Sequence, residues 1–100
     1  MSQIFKALSD PTRRQVLALL RDGPRTAGEL AEHFEVSKPT MSAHFTVLRE
    51  ADLIASTKQG TSVVYSLQLS VLEEALMGFA ALFGINAAEP PAAPAKKGKP

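Results

Sequence analysis

A mainly α-helical fold with one small β-hairpin is what three features of this 100-residue sequence predict. Apolar residues recur at helical spacing through the first half of the chain, and capping residues stand before most of the recurrences. The period then switches to two around Val63, Tyr65 and Leu67, which alternate with Val64 and Ser66. The length allows one domain and a modest core, so oligomerisation is a reasonable source of added stability.

Taken in order, Ser2 can cap a first helix carrying Ile4, Phe5, Ala7 and Leu8, which breaks at Ser9-Asp10-Pro11. Asp10 suits the N-cap and Pro11 the first turn of a second helix, whose apolar face is Val16, Leu17, Leu19 and Leu20 and which Gly23-Pro24 ends. Thr26 stands three residues before Glu29, the spacing of a capping box, and opens a short third helix that buries Leu30, Ala31 and Phe34. Ser37 is a favourable N-cap, with Pro39 in the first turn of a fourth helix that buries Met41, Phe45 and Leu48. Two short helices joined by so tight a link form a helix-turn-helix unit. The hairpin follows, with Lys58-Gln59-Gly60-Thr61 as its polar tip. Ser70 and Glu73 repeat the capping-box spacing and open a last helix with Val71, Leu72, Ala75, Leu76, Phe79, Leu82 and Phe83.

After Asn86 the composition changes. Residues 87–100 hold four prolines, alanines and three lysines, with almost nothing to bury, and are expected to form a disordered tail behind a domain of residues 1–86. The whole chain carries a formal net charge of +1; without Lys96, Lys97, Lys99 and Glu89 the body holds eight basic against nine acidic residues. A strongly basic nucleic-acid binder is therefore not what composition announces. The absence of cysteine excludes disulfides and thiolate metal sites. No run of eighteen apolar residues and no signal-peptide layout occur, which makes a cytoplasmic protein without membrane contact the expectation.

In this order and spacing, four stretches resemble the ArsR family of bacterial winged-helix repressors, and most of all its cysteine-free, SdpR-like autorepressor members. They are Ala7-Leu8-Ser9-Asp10-Pro11-Thr12-Arg13-Arg14, Gly28-Glu29-Leu30-Ala31, Val36-Ser37-Lys38-Pro39-Thr40-Met41-Ser42-Ala43-His44-Phe45, and Val47-Leu48-Arg49-Glu50-Ala51. The resemblance covers residues 5–67 and implies a winged helix-turn-helix, a homodimer joined through terminal helices, and repression by operator binding. Three departures stand out. Asp52 replaces the glycine frequent after the recognition helix, though Asp tolerates a left-handed backbone better than most residues. Thr61 stands where a wing arginine is common, which weakens the case for a strong minor-groove contact. The cysteines or the terminal-helix His/Asp/Glu sets used by the family's metal sensors are missing.

On the fourth helix, inward Met41, Phe45 and Leu48 leave an outward arc through Lys38, Pro39, Ser42, Ala43, Thr46 and Arg49. Small hydroxylated residues let a helix enter the major groove closely and meet phosphates or base edges. The expected DNA contacts are Ser37, Lys38, Pro39, Thr40, Ser42, Ala43, His44, Thr46 and Arg49, with Lys58 from the hairpin tip. With no Asn, Gln or Arg in the first turns, DNA shape must supply part of any specificity. Arg13 shares the face of Leu17 and Leu20 and is expected to pair with a carboxylate from another helix; Arg14 points outward. His33 and His44 show no spacing that forces a metal site.

The last helix is apolar nearly all round, which calls for cover on several sides. A two-fold homodimer seam of Ile4, Phe5, Leu8, Leu72, Leu76, Phe79, Leu82 and Phe83 is expected. No nucleophile-base pair, phosphate-cradling loop or metal set appears, so neither an enzyme nor a cofactor is expected. The sequence thus predicts a homodimeric repressor of double-stranded DNA acting at an inverted repeat. A protein-interaction module built on the same winged helix, or a sensor of an unidentified effector, are the alternatives.

Overall fold

A computed structural model describes residues 2–85, arranged as five helices and three short strands. The expected tail, 87–100, lies outside the described residues. The order is α1 (Ser2–Leu8), α2 (Pro11–Leu20), β1 (Arg25–Thr26), α3 (Ala27–Ala31), α4 (Lys38–Glu50), β2 (Ile54–Gln59), β3 (Ser62–Leu67) and α5 (Leu69–Leu82). This matches the mainly α expectation, with one added strand.

Local chemistry sets most of these boundaries. The Asp10 carboxylate accepts the Arg13 N–H and starts α2, with Pro11 in its first turn. At α3 the capping box is reciprocal: Thr26 Oγ1 accepts from Glu29 N at 3.0 Å, and Glu29 Oε1 accepts from Thr26 N at 2.8 Å. Helix α4 ends in a Schellman motif, in which Leu53 N donates to Leu48 O and Asp52 N donates to Arg49 O. Asp52 holds the left-handed position with φ 60°, as expected for a residue standing in for glycine there, and fully buried Leu48 and Leu53 flank the turn.

The sheet is antiparallel in the order β1-β3-β2. Strand β1 has no signature in the sequence because two residues show no period; its register, Arg25 against Tyr65 and Thr26 against Val64, ties the entry to α3 onto the hairpin. The hairpin tip is shorter than expected. Gly60, at φ 64°, makes a two-residue turn with Thr61, the glycine-first arrangement of a type II′ hairpin. Lys58 and Gln59 therefore remain in the ladder, opposite Val63 and Ser62.

Ser70 does not cap α5. Gln68 N donates to Leu53 O at 2.8 Å, and Gln68 O already accepts from Val71 N and Leu72 N, so the chain passes straight from β3 into the helix and Ser70 lies inside it. One core joins α1 through α4 to the sheet: Ala7, Val16, Leu17, Leu20, Leu30, Met41, Phe45, Leu48, Leu53, Ile54 and Tyr65. The Phe45 and Tyr65 rings lie 4.7 Å apart and bind α4 to β3. Helix α5 contributes less to this core. Val71 and Leu72 pack against it and Ala75 is buried, while Leu76, Phe79, Leu82 and Phe83 are exposed.

Candidate nucleic-acid interface

Helix α4 turns its expected residues outward. Met41, Phe45 and Leu48 enter the core, which leaves Lys38, Pro39, Thr40, Ser42, Ala43, Thr46 and Arg49 exposed, together with the Ser37 cap. The N-terminal end of this arc is prepared for anionic oxygen. Ser37 Oγ accepts from Thr40 N and donates to Thr40 Oγ1 at 2.9 Å, so the Thr40 hydroxyl keeps its own proton for an outside acceptor. The first turn holds no acidic residue, and Lys38 adds charge where the helix dipole is positive. Helix α3 differs, because Glu29 already occupies its N-terminus.

Beside the arc lies a hollow of about 220 Å³ between α3 and α4, lined by Ala27, Gly28, Ala31, Lys38, Met41, Ser42 and Phe45. Its signal in the sequence is the run of small residues on α3, Ala27, Gly28 and Ala31. Lys58 is exposed on β2, and Thr61 is exposed at the turn. Neither belongs to the α4 arc; the hairpin forms a separate projection, as a wing does.

His44 sits apart from the other expected contacts. Its side chain is 14% exposed and turned toward the start of α2, with Nδ1 3.1 Å from Arg13 Nη1 and Nε2 4.0 Å from Asp10 Oδ2. An arginine only donates, so Nδ1 is the acceptor and Nε2 carries the proton. Burial pushes the Asp10 carboxyl up, but the backbone N–H groups of Arg13 and Thr12, the adjoining His44 ring and the Arg13 charge outweigh it, and the group lies below its ordinary value.

Arg13 has a structural role, as expected, but not through a carboxylate from another helix. Its guanidinium donates from Nε to Ala7 O at 2.8 Å and from Nη2 to Lys6 O at 3.0 Å. The last carbonyls of α1, like those of any helix, have no donors within it; Lys6 O also accepts from Ser9 N and Ser9 Oγ. Arg14 is exposed, yet its Nη1 donates to Leu8 O at 2.8 Å and completes the same cap. His33 is exposed beyond α3, and among the described residues no three His, Asp or Glu side chains converge.

On the terminal helices, Phe5 of α1 lies against Phe79 of α5 with ring centroids 4.7 Å apart, and Phe79 meets Phe83 at 5.2 Å. Leu76, Leu82 and Phe83 extend this apolar surface into solvent. Ile4, Leu8 and Leu72 are half-buried and pack partly on the core. A second hollow of about 280 Å³ adjoins them, lined by Leu8, Leu17, Ala18, Leu67, Leu69, Leu72 and Leu76 with Arg14 and Arg21.

Residues 8–57 match the family described as "Helix-turn-helix domain". The chain is 46% identical over 76 residues to the transcriptional repressor SdpR of Bacillus subtilis, covering 76% of this chain and 84% of that protein. It is 40% identical over 73 residues to the arsenical resistance operon repressor of Staphylococcus xylosus, covering 73% and 70% respectively. Among solved structures, an ArsR family transcriptional regulator superposes with a TM-score of 0.70 at 34% identity, covering 82% of this chain and 88% of the other.

Proposed function

The chain belongs to the ArsR family of helix-turn-helix transcriptional repressors, and from that premise we propose that it represses transcription as a homodimer on an inverted-repeat operator. Members of this family regulate transcription by binding DNA and are not enzymes. The observation that carries the reading is the outer arc of α4: Lys38, Thr40, Ser42, Ala43, Thr46 and Arg49 are exposed together on one helix whose opposite face anchors the core. In the groove, Lys38, Ser37 and Thr40 meet phosphate, Pro39, Ala43 and Thr46 present apolar surface to base edges and thymine methyls, and Ser42 donates or accepts at a base or phosphate. Lys58 and Arg49 meet the flanking backbone as point charge and fork, respectively.

The exposed α5 surface, with Phe5, supports a two-fold seam made of the terminal helices. Ile4, Phe5, Leu8, Leu72, Leu76, Phe79, Leu82 and Phe83 form it, and the apolar hollow beside Leu72 and Leu76 extends it. A stable seam of this kind buries roughly 1,500 Å². Two recognition helices about 34 Å apart then reach successive major grooves. Occupying promoter DNA in this way blocks transcription without chemistry on the DNA. No helix among the described residues is long and apolar enough to cross a membrane, and the protein acts in the cytoplasm, where its DNA is, as a unit of residues 1–86.

A gel-shift titration on the gene's own upstream region tests this, comparing wild-type protein with Ser42→Glu. Residue 42 is exposed at the middle of the arc, so the fold tolerates glutamate while the new charge faces the DNA. Submicromolar binding at low salt that Ser42→Glu abolishes is expected. Wild-type protein that binds neither that region nor any selected sequence, or a variant that binds as well, contradicts the proposal.

A further inference from the structure

We propose that His44 is a positioning residue, through which Arg13 ties the recognition helix to the dimer helix α1 and so fixes the half-site spacing the protein accepts. This rests on the homodimeric DNA-binding reading above and assigns His44 a role other than the DNA contact its place in the sequence suggested. A single guanidinium serves both sides. Nε and Nη2 hold Ala7 O and Lys6 O at the end of α1, and Nη1 holds His44 Nδ1 near the middle of α4. The arginine fork is planar and rigid, so its three bonds fix distance and direction together. Asp10 steadies the assembly from below. Its Oδ2 caps α2 through the Arg13 backbone N–H and faces the His44 Nε2–H.

The apolar face of α4 cannot provide this control by itself. Met41, Phe45 and Leu48 hold the helix against the core, but apolar burial is non-directional. A small rotation or slide of α4 shifts Ser42 and Ala43 relative to the bases while conserving most of that burial. The polar tie resists such a slide, and α1 is the correct anchor because Ile4, Phe5 and Leu8 lie at the proposed seam. The distance between the two recognition helices is thus referred to the dimer axis through Arg13.

The test uses the full chain, a selected inverted repeat, and the same half-sites moved together or apart by one base pair, a change of about 3.4 Å and about a tenth of a turn. Wild-type protein should prefer the selected spacing by about tenfold or more. His44→Leu, which deletes the acceptor, should lower that preference to about twofold while leaving dimerisation and binding to random DNA unchanged. His44→Asn places an acceptor where Nδ1 stood and should restore the preference. A His44→Leu protein with full discrimination overturns the inference alone, as does a His44→Asn protein no better than His44→Leu. Wild-type protein with no DNA binding or no spacing preference overturns the dimeric repressor as well. Should His44→Leu fail to fold, imidazole nitrogen NMR of the wild type decides: a proton on Nε2 and an unprotonated Nδ1 are expected, and a proton on Nδ1 overturns the tie.

Discussion

Replacing Leu82 by Gln separates self-association from folding. Leu82 lies on the last turn of α5 with 73% of its surface exposed in the single chain, so it contributes little to the core. A leucine taken fully out of water contributes about 2 kcal/mol. Scaled to the exposed fraction, covering Leu82 at a two-fold seam is worth about 1.5 kcal/mol per protomer and about 3 kcal/mol per dimer. That weakens the dimer by about a hundredfold. Sedimentation velocity over a concentration series reads the dissociation constant, and circular dichroism confirms that the helices persist in the variant. An unchanged dissociation constant refutes the placement of the seam. Wild-type protein that stays monomeric at micromolar concentration refutes the seam itself.

Three further outcomes follow from particular residues. Asp10→Asn keeps an N-cap acceptor but cannot ionise. Because the folded Asp10 carboxyl lies below its ordinary value, its charge stabilises the fold at pH values above about 4, and this contribution is lost as the pH falls through the folded value. Wild type should exceed Asp10→Asn in denaturant stability at pH 7 and converge with it as the pH falls below the folded value, whereas a constant gap contradicts the charge argument. Asp52→Gly relieves the left-handed backbone at the end of α4 and should raise stability by about 0.5–1 kcal/mol in chemical denaturation; a loss shows that the Asp52 side chain does something besides occupy the turn. Lys58→Ala removes two phosphate contacts per dimer. With Lys38, Arg49 and Lys58 as the contacting cations, the wild-type slope of log K against log salt should be about −5, and the variant's shallower by about 2. An unchanged slope removes Lys58 from the interface.

What could be read in the sequence divides along physical lines. Caps and periodicity are local, and Asp10, Ser37 and the Thr26/Glu29 box behave in the structure as their spacing predicts. So does the burial of Met41, Phe45 and Leu48, which places the α4 arc in the open. Features that depend on distant partners are not legible in local spacing. Ser70 has the right spacing for a cap, but the pairing of Gln68 N with Leu53 O starts α5 earlier. Strand β1 exists only because β3 lies beside it. Arg13 is expected from the sequence to find a carboxylate, yet the terminal carbonyls of a seven-residue helix and an imidazole from α4 are what the fold brings to it. His44 shows the difference most clearly. Its neighbour Ala43 faces out, on the arc that spacing gives it, while His44, which spacing puts at the edge of that arc, turns in.

Whether two copies present their α4 arcs to successive major grooves is decided by selecting bound DNA from a random pool with the full chain. Enrichment of an inverted repeat with half-site centres about 10–10.5 base pairs apart is the predicted result. A direct repeat, a single unpaired motif, or no enrichment contradicts it.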